Sequence, residues 1–136
     1  MNEYNFTLHL RIFGGEIGHP QICEFLGLTA EWSHKAGEPR VDPKGRVLYG
    51  VYETDYCSIS IPHPDSIGLA DCIDKQIKFF LKYENLFLDI KRKNGRVEFF
   101  VGWFGDGNFG DIFKSSTLKV LGDLGVDLSF DIYAAP

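Results

Sequence analysis

The sequence has few cysteines and no long apolar run. A membrane-spanning helix needs about 20 consecutive apolar residues, and no segment of the 136-residue chain approaches that length, so we expect no membrane partner. Its three cysteines, Cys23, Cys57 and Cys72, are odd in number and stand at no metal or redox spacing, which predicts reduced, mostly buried thiols rather than a disulfide framework. The first residues lack the basic and apolar regions of a secretory signal, so we expect a cytoplasmic location.

Basic residues are also in deficit, with 14 Lys and Arg against 19 Asp and Glu and a formal net charge of −5. Because a nucleic-acid-binding domain needs a basic footprint, we expect no nucleic-acid partner. An acidic surface suits a basic protein partner instead. The length is that of one typical domain, so we expect a single domain over residues 1–136.

Signatures of catalysis and of cofactor binding are scarce. Residues 105–110 match the dinucleotide pattern G-x-G-x-x-G, but too little chain follows for a dinucleotide-binding sheet, and Asp106 would repel a pyrophosphate. His19 and Cys23 stand four residues apart without a second pair of ligands, so we expect no metal site. No nucleophile elbow occurs. We therefore expect no catalytic residues and no cofactor, and favour a role other than that of an enzyme.

Aromatic residues, in contrast, make up 15% of the sequence, and many of them fall in segments that alternate between apolar and polar positions. Residues 5–13, 96–104 and 126–132 alternate in this way, which predicts strands of a sheet that is covered on one side. Residues 47–61 predict a further extended stretch that could bend near Asp55, and residues 29–46, rich in glycine, proline and charge, predict a loop.

Helical spacing of apolar residues appears in three further segments. Residues 19–26 and 111–124 carry short apolar stripes, and each is followed by a glycine that suits a helix C terminus. Residues 69–81 carry the longest stripe. Asp65 or Ser66 is the expected N-cap of that helix.

The chain repeats a strand, a glycine loop and a helix ending in Leu-Gly, over residues 10–28 and again over 101–125. These two βαβ units predict an α+β fold, a two-layer sandwich with a four-stranded, mainly antiparallel, ferredoxin-like sheet and a helical insertion between the units. Within the insertion, residues 86–95 could be a strand entering a hairpin at Asn94-Gly95 or a helix ended by Gly95. We favour the helix because two helices, out and back, return the chain to the correct edge of the sheet.

The alternation also predicts a sheet face without helices. This face would carry His9, Arg11, Phe13, Glu98, Phe100, Phe104, Asp127, Asp131 and Tyr133. Aromatic rings among charges are typical of a recognition surface, so His9, Arg11, Phe100 and Tyr133 are candidate binding residues. Alternatively, the inserted helices or a second copy of the chain could cover the face.

A family resemblance concerns residues 27–30, which read Gly-Leu-Thr-Ala, residues 35–40, which read Lys-Ala-Gly-Glu-Pro-Arg, and the ending at 121–133. With the opening strand, these segments resemble the bacterial domain-of-unknown-function family forty-two seventy-nine over about residues 5–134. That family usually has a tryptophan in the strand after the Gly-Glu-Pro-Arg loop, where this chain has Tyr49 and Tyr52. It has no established activity, and proteins of this size and type resemble the immunity partners found beside bacterial toxins.

The loop supplies a second set of candidate binding residues, Trp32, Lys35, Glu38, Arg40 and Tyr52. Glycine and proline could simply shape a turn there, or the side chains could form a recognition patch. Our first hypothesis is a non-catalytic protein-binding module of the toxin-immunity type. The alternatives are a small-ligand binder or enzyme that uses this loop with the adjacent strand, and a structural homo-oligomer formed through the open sheet face.

Overall fold

The computed structural model describes residues 3–15 and 19–134, without the side chains of residues 19–21 and 25. The strands of this part of the chain are β1 (Tyr4–Phe13), β2 (Ala30–His34), β3 (Pro39–Val41), β4 (Val47–Val51), β5 (Tyr56–Ser60), β6 (Arg96–Gly105) and β7 (Val126–Ala134). The α-helices are α1 (His19–Leu26), α2 (Leu69–Phe80), α3 (Glu84–Arg92) and α4 (Ser115–Leu124), and a 3₁₀ turn at Leu81–Tyr83 joins α2 to α3.

A mixed five-stranded sheet in the order β2-β5-β1-β6-β7 forms the centre of the fold, and β3 and β4 form a separate two-stranded sheet. β1 pairs antiparallel with β5 and β6, whereas β7 runs parallel to β6 after the crossover through α4. The α+β class is confirmed. The predicted four-stranded, ferredoxin-like sheet is wrong in its strand count, because β2 adds a fifth strand at one edge.

One hydrophobic core lies between the sheet and the helices. The inward side chains of β1 and β6 are at most 8% exposed, as the alternation predicted: Phe6, Leu8, Leu10, Ile12, Val97, Phe99, Val101 and Trp103. Buried side chains of all four α-helices join them in the same cluster. Phe80 of α2 stacks on Phe99 at 5.6 Å and contacts Phe87 of α3 at 5.3 Å. Full burial of such a ring is worth about 1.5–3 kcal/mol, so this aromatic layer contributes strongly to stability.

The free thiols of Cys57 and Cys72 are buried among these apolar side chains. Burial raises the pKa of Cys57 to about 12, and it also raises the pKa of Cys72. Because the thiolate is the reactive form, the raised pKa values favour the less reactive thiol form of both residues at neutral pH. Among the described residues, no helix is long and apolar enough to cross a bilayer.

The predicted loop at 29–46 is wrong, whereas the extended stretch predicted at 47–61 is present as two strands on either side of a break at residues 52–55. The first contains β2 and β3, and the second divides into β4 and β5, which belong to different sheets. Gly37, with φ +86°, turns the chain between β2 and β3. These strands are short and partly or wholly exposed, so their sequences lack the apolar alternation that marks a strand packed on a core.

The helix favoured over residues 86–95 is confirmed as α3. It ends because Asn94 adopts φ +61° and the Gly95 amide donates to the carbonyl oxygen of Ile90 at 2.8 Å. A Cβ at Gly95 would lie 2.5 Å from Cγ2 of Ile90. Glycine is therefore required at this close approach between the helix end and the start of β6.

The N terminus of α2 differs from the prediction. Its N-cap is Gly68, which supplies no side-chain hydrogen bond, and neither Asp65 nor Ser66 caps the helix. A helix N terminus leaves backbone N–H groups without intrahelical partners. Side chains from β1 and from the segment before α4 provide acceptors for two of these groups instead.

Those side chains are Tyr4 and Asp111. The Leu69 amide donates to the Tyr4 hydroxyl at 2.8 Å, and the Ala70 amide donates to Oδ2 of Asp111 at 3.0 Å. The Tyr4 hydroxyl in turn donates to the same Oδ2 at 2.7 Å. Burial opposes ionisation of Asp111, but the hydrogen bonds from Ala70, Tyr4 and Ile112 outweigh it and lower the pKa of the carboxyl. The pKa of Tyr4 is raised to about 12, chiefly by burial.

Candidate functional site

The predicted open face is confirmed by strand register. Arg11 pairs with Ser58 on one side and with Glu98 on the other, and Glu98 pairs with Asp127. Directly paired residues share a face of the sheet, and this row points away from the core. Within the described residues, the helices bury their apolar stripes against the opposite face. We call this helix-free surface the open face.

A group of charged and aromatic side chains lies at its centre. The Arg11 guanidinium lies 4.6 Å from the centroid of the Phe100 ring, and its Nε donates to the Tyr56 hydroxyl at 3.1 Å. Its terminal nitrogen lies 3.3 Å from Oε1 of Glu98. The other oxygen of Glu98 accepts from Arg96 at 2.7 Å. We call this group, together with Phe13, the Arg11 cluster.

The Arg11 cluster carries an excess of positive charge. Glu98 is only 6% exposed and is shared by two arginines, so one of the two cationic charges has no carboxylate within the cluster. Phe13 lies 5.2 Å from the guanidinium of Arg11 and 4.0 Å from that of Arg96. Cation–π contacts and charge-assisted hydrogen bonds both orient an arginine. The cluster therefore presents ordered cationic groups among aromatic rings.

A shallow concavity of about 250 Å³ adjoins the cluster, and its lining residues are His9, Arg11, Glu31, Trp32, Tyr56, Ser58 and Phe100. At its rim, Nε2 of His9 lies 2.8 Å from a carboxylate oxygen of Glu31. The register of β2 shifts between Ala30 and Trp32, and Trp32 remains 39% exposed.

The structure therefore brings together four of the predicted binding residues, His9, Arg11, Trp32 and Phe100. Tyr56, Ser58 and Glu31 also line this concavity, although the sequence did not predict them as its neighbours. The alternation over residues 56–60 could have placed Tyr56 and Ser58 on the same face of a strand. Their relation to Arg11 depends on the pairing of β5 with β1, which local alternation does not reveal.

The other predicted residues of the loop do not join this concavity. Glu38 and Arg40 are exposed at the start of the β3–β4 hairpin, and Lys35 is exposed just before it. Tyr52 stacks on His34 with ring centroids 3.5 Å apart, and its hydroxyl accepts from the Val41 amide at 3.2 Å.

Backbone hydrogen bonds also join Tyr52 to the turn that precedes β3. The Tyr52 amide donates to the carbonyl oxygen of Glu38 at 3.0 Å, and the Gly37 amide donates to that of Tyr52 at 2.9 Å. Burial lowers the pKa of His34, which lies beneath the Tyr52 ring. Tyr52 therefore supports the hairpin, and the single loop site predicted from the sequence divides into two places.

Tyr133 lies apart from the Arg11 cluster, at the far end of the open face. Its ring stacks on Phe104 at 4.8 Å, and its hydroxyl donates to the Asp131 carboxylate. In residues 3–15 and 19–134, neither Asp127 nor Asp131 has a salt-bridge partner. The open face is thus cationic at its centre and acidic along β7.

The glycine loop at 105–110 folds onto the core. The ring of Phe109 meets that of Trp103 edge-on at 5.4 Å, and a Cβ at Gly105 would lie 2.5 Å from the Phe109 ring. The glycine is therefore needed for packing at this position. Within the described ranges, no group of three His, Cys, Asp or Glu side chains is arranged to hold a metal ion, and the side chain of His19 lies outside the described part of the chain.

Comparison of the chain with protein-family models, with curated proteins and with solved structures found no match.

Proposed function

We propose that this chain is a non-catalytic protein-binding module that engages its partner through the open face. The observation that carries the proposal is the Arg11 cluster, in which rings and charges are already ordered on a helix-free sheet face. Aromatic residues and arginine are enriched in protein interfaces. Ordered side chains also reduce the conformational entropy that is lost on binding.

The charges of the face indicate the character of the partner. Asp127 and Asp131 lie along β7 without salt bridges among the described residues, and the whole chain has a net charge of −5. A partner with a net positive charge would complement both features and would associate faster at low salt. The same partner would place an acidic or aromatic group against the cationic Arg11 cluster. A bacterial toxin bound by its immunity protein is the kind of complex that the family resemblance implies, and it forms part of this proposal.

Capture of a partner from the native cells tests the proposal. The bait is the full chain, as the unaltered protein, the Trp32→Ala variant and the Tyr49→Ala variant. Tyr49 is the matched control because it is 97% exposed on the β3–β4 hairpin, away from the Arg11 cluster and from the concavity that Trp32 lines. Loss of a central aromatic contact costs about 2 kcal/mol or more, which corresponds to roughly 30-fold in affinity.

We expect the unaltered protein and Tyr49→Ala to retain the same partner and Trp32→Ala to lose it. Washing with salt at about 0.5–1 M, where the Debye length falls to a few ångströms, should weaken retention. A bait that retains no partner even at low salt would count against the proposal. Equal retention by the two variants would show that the partner does not use this part of the open face.

A small-ligand binder is the second candidate, and the concavity beside Trp32 favours it. An arginine among aromatic rings suits a small aromatic anion. The volume of about 250 Å³ lies slightly below the range of about 300–1,000 Å³ that is usual for ligand sites, so this candidate ranks second. Isothermal titration calorimetry with benzoate and indole-3-acetate tests it, and a response that does not saturate would eliminate these ligands.

A further inference from the structure

The two edges of the main sheet differ in their capacity to pair with another strand. β2 at one edge has five residues and a register shift, whereas β7 at the other edge has nine residues in unbroken register with β6. Within the described residues, no backbone hydrogen bond joins β7 to any strand except β6. An edge strand presents N–H and C=O groups along its outer side, which is a template for a further strand.

Apart from the charges of Asp127 and Asp131, β7 lacks the features by which proteins usually block such pairing. It contains no lysine, no proline and no bulge. Several of its apolar side chains are exposed: Phe130 by 38%, Ile132 by 60% and Tyr133 by 47%. An added strand would cover part of this apolar surface on both faces of the sheet.

The charges on β7 distinguish between possible occupants. Asp127 and Asp131 are four residues apart and face the same side of the sheet. Two copies of the chain could pair their β7 strands in antiparallel orientation. If Ser129 faced Ser129 of the other copy, Asp127 would lie opposite Asp131. If Asp131 faced Asp131, the two identical carboxylates would lie opposite each other. Like charges placed directly opposite are destabilising. A pair centred on Phe130 avoids this repulsion but leaves all the carboxylates without a cation.

We propose that β7 receives an extended segment of the partner as the next strand of the sheet. That segment carries Lys or Arg at two positions four residues apart, opposite Asp127 and Asp131, with β-branched or apolar residues beside Phe130 and Ile132. This inference rests on the proposed function, because it specifies how the basic partner would attach.

A synthetic peptide tests the inference on the full chain. The probe is a nine-residue peptide of Thr and Val with Lys at its third and seventh positions. One control peptide carries N-methyl groups at alternate residues, which remove backbone donors and preserve charge, and a second carries Glu in place of both lysines. The measurements are peptide affinity and amide hydrogen exchange over residues 126–134.

We expect the probe to slow exchange in β7, and we expect each control peptide to bind at least tenfold more weakly. The Asp127→Asn, Asp131→Asn double variant should bind the probe about three- to tenfold more weakly, since each opposite-charge pair across strands is worth about 0.2–1 kcal/mol. Unchanged exchange in β7, or equal binding of the N-methylated peptide, would overturn the inference. A dimer of the chain that Ile132→Lys abolishes would also overturn it, because the occupant would then be a second copy.

The Trp32→Ala variant separates this inference from the proposed function. It leaves β7 unaltered, so it should bind the probe as the unaltered protein does. If the probe protects β7 while partner capture is insensitive to Trp32, the proposed use of the open face fails and the edge site stands. If capture depends on Trp32 while the probe does not protect β7, the edge inference alone fails.

Discussion

The cap at the N terminus of α2 allows a quantitative prediction, with Asp111→Ala as the perturbation. This change removes an acceptor of hydrogen bonds from the amides of Ala70 and Ile112, at 3.0 and 2.7 Å, and from the Tyr4 hydroxyl at 2.7 Å. A hydrogen bond to a charged group contributes about 1.5–3 kcal/mol net, and loss of a cap about 1 kcal/mol. Because Asp111 is only partly buried, water replaces some of these bonds. We expect Asp111→Ala to lower the free energy of unfolding by about 2–3 kcal/mol.

Urea unfolding at pH 7, followed by far-ultraviolet circular dichroism, measures this loss. Tyr4→Phe should cost about 1 kcal/mol, since it removes the acceptor for the Leu69 amide and one donor to Asp111. The two side chains share a hydrogen bond, so a double-mutant cycle should give a coupling energy of about 0.5 kcal/mol or more. Asp65→Ala is the matched control, because Asp65 is exposed and does not cap α2.

The same network predicts a dependence on pH. The pKa of Asp111 is lower in the folded protein than its ordinary value of 3.8, so the unfolded chain binds the proton more readily. The stabilisation by its charge is therefore present above pH 3.8 and is lost as the pH falls through the folded-state pKa. An Asp111→Ala variant that loses less than about 0.5 kcal/mol, the ordinary range for a surface substitution, would refute the proposed cap. Additive losses in the cycle would refute the coupling.

Three further perturbations test other parts of the fold. Glu98→Ala leaves two arginines without their shared carboxylate. We expect thermal unfolding to show that the free energy of unfolding falls by about 1–2 kcal/mol. This is less than for a fully buried ion pair, because both arginines are partly exposed. Burial lowers the pKa of His34 from its ordinary value of 6.5. Neutral His34 should therefore contribute to stability above pH 6.5. That contribution should disappear as the pH falls below 6.5 toward the folded-state pKa. The melting temperature measured between pH 5 and 7.5 should show this slope, and His34→Gln should reduce it. Gly95→Ala should lower the free energy of unfolding in urea by about 1–3 kcal/mol, because its Cβ would lie 2.5 Å from Ile90. Gly122→Ala in α4 is the matched control, since a Cβ there meets no atom within 4 Å. It should leave the free energy of unfolding unchanged or raise it by up to about 1 kcal/mol.

The predictable parts of the fold are those with one face on the core. The alternation of β1 and β6 placed every inward residue correctly, from Phe6 to Trp103, because burial against helices imposes a period of two on the sequence. The strands β2, β3 and β4 have no buried residues and therefore no such period. The predicted start of the last helix at 111 was also early, since α4 begins at Ser115 and the preceding residues 111–114 have no regular secondary structure, with Phe113 near Trp103.

The candidate site was predictable only in part. Alternation placed His9, Arg11 and Phe100 on the open face correctly, since strand period alone decides which face a residue occupies. It could not place Trp32 beside them, because that contact depends on β2 joining the sheet through β5. Tyr52 does not line the concavity with Trp32 but stacks on His34, because closeness along the chain does not determine which way a turn directs its side chains.

The sequence by itself determined the class of the fold, the inward faces of its long strands and the existence of an open face, because each depends on a local period of apolar residues. Only the tertiary structure decided the strand order, the exposed edge at β7, the cap of α2 and the Arg11 cluster. Tyr4 and Asp111 are 107 positions apart, and Arg11 and Tyr56 are 45 apart. Such contacts form only when the whole sheet is assembled, so no local pattern specifies them.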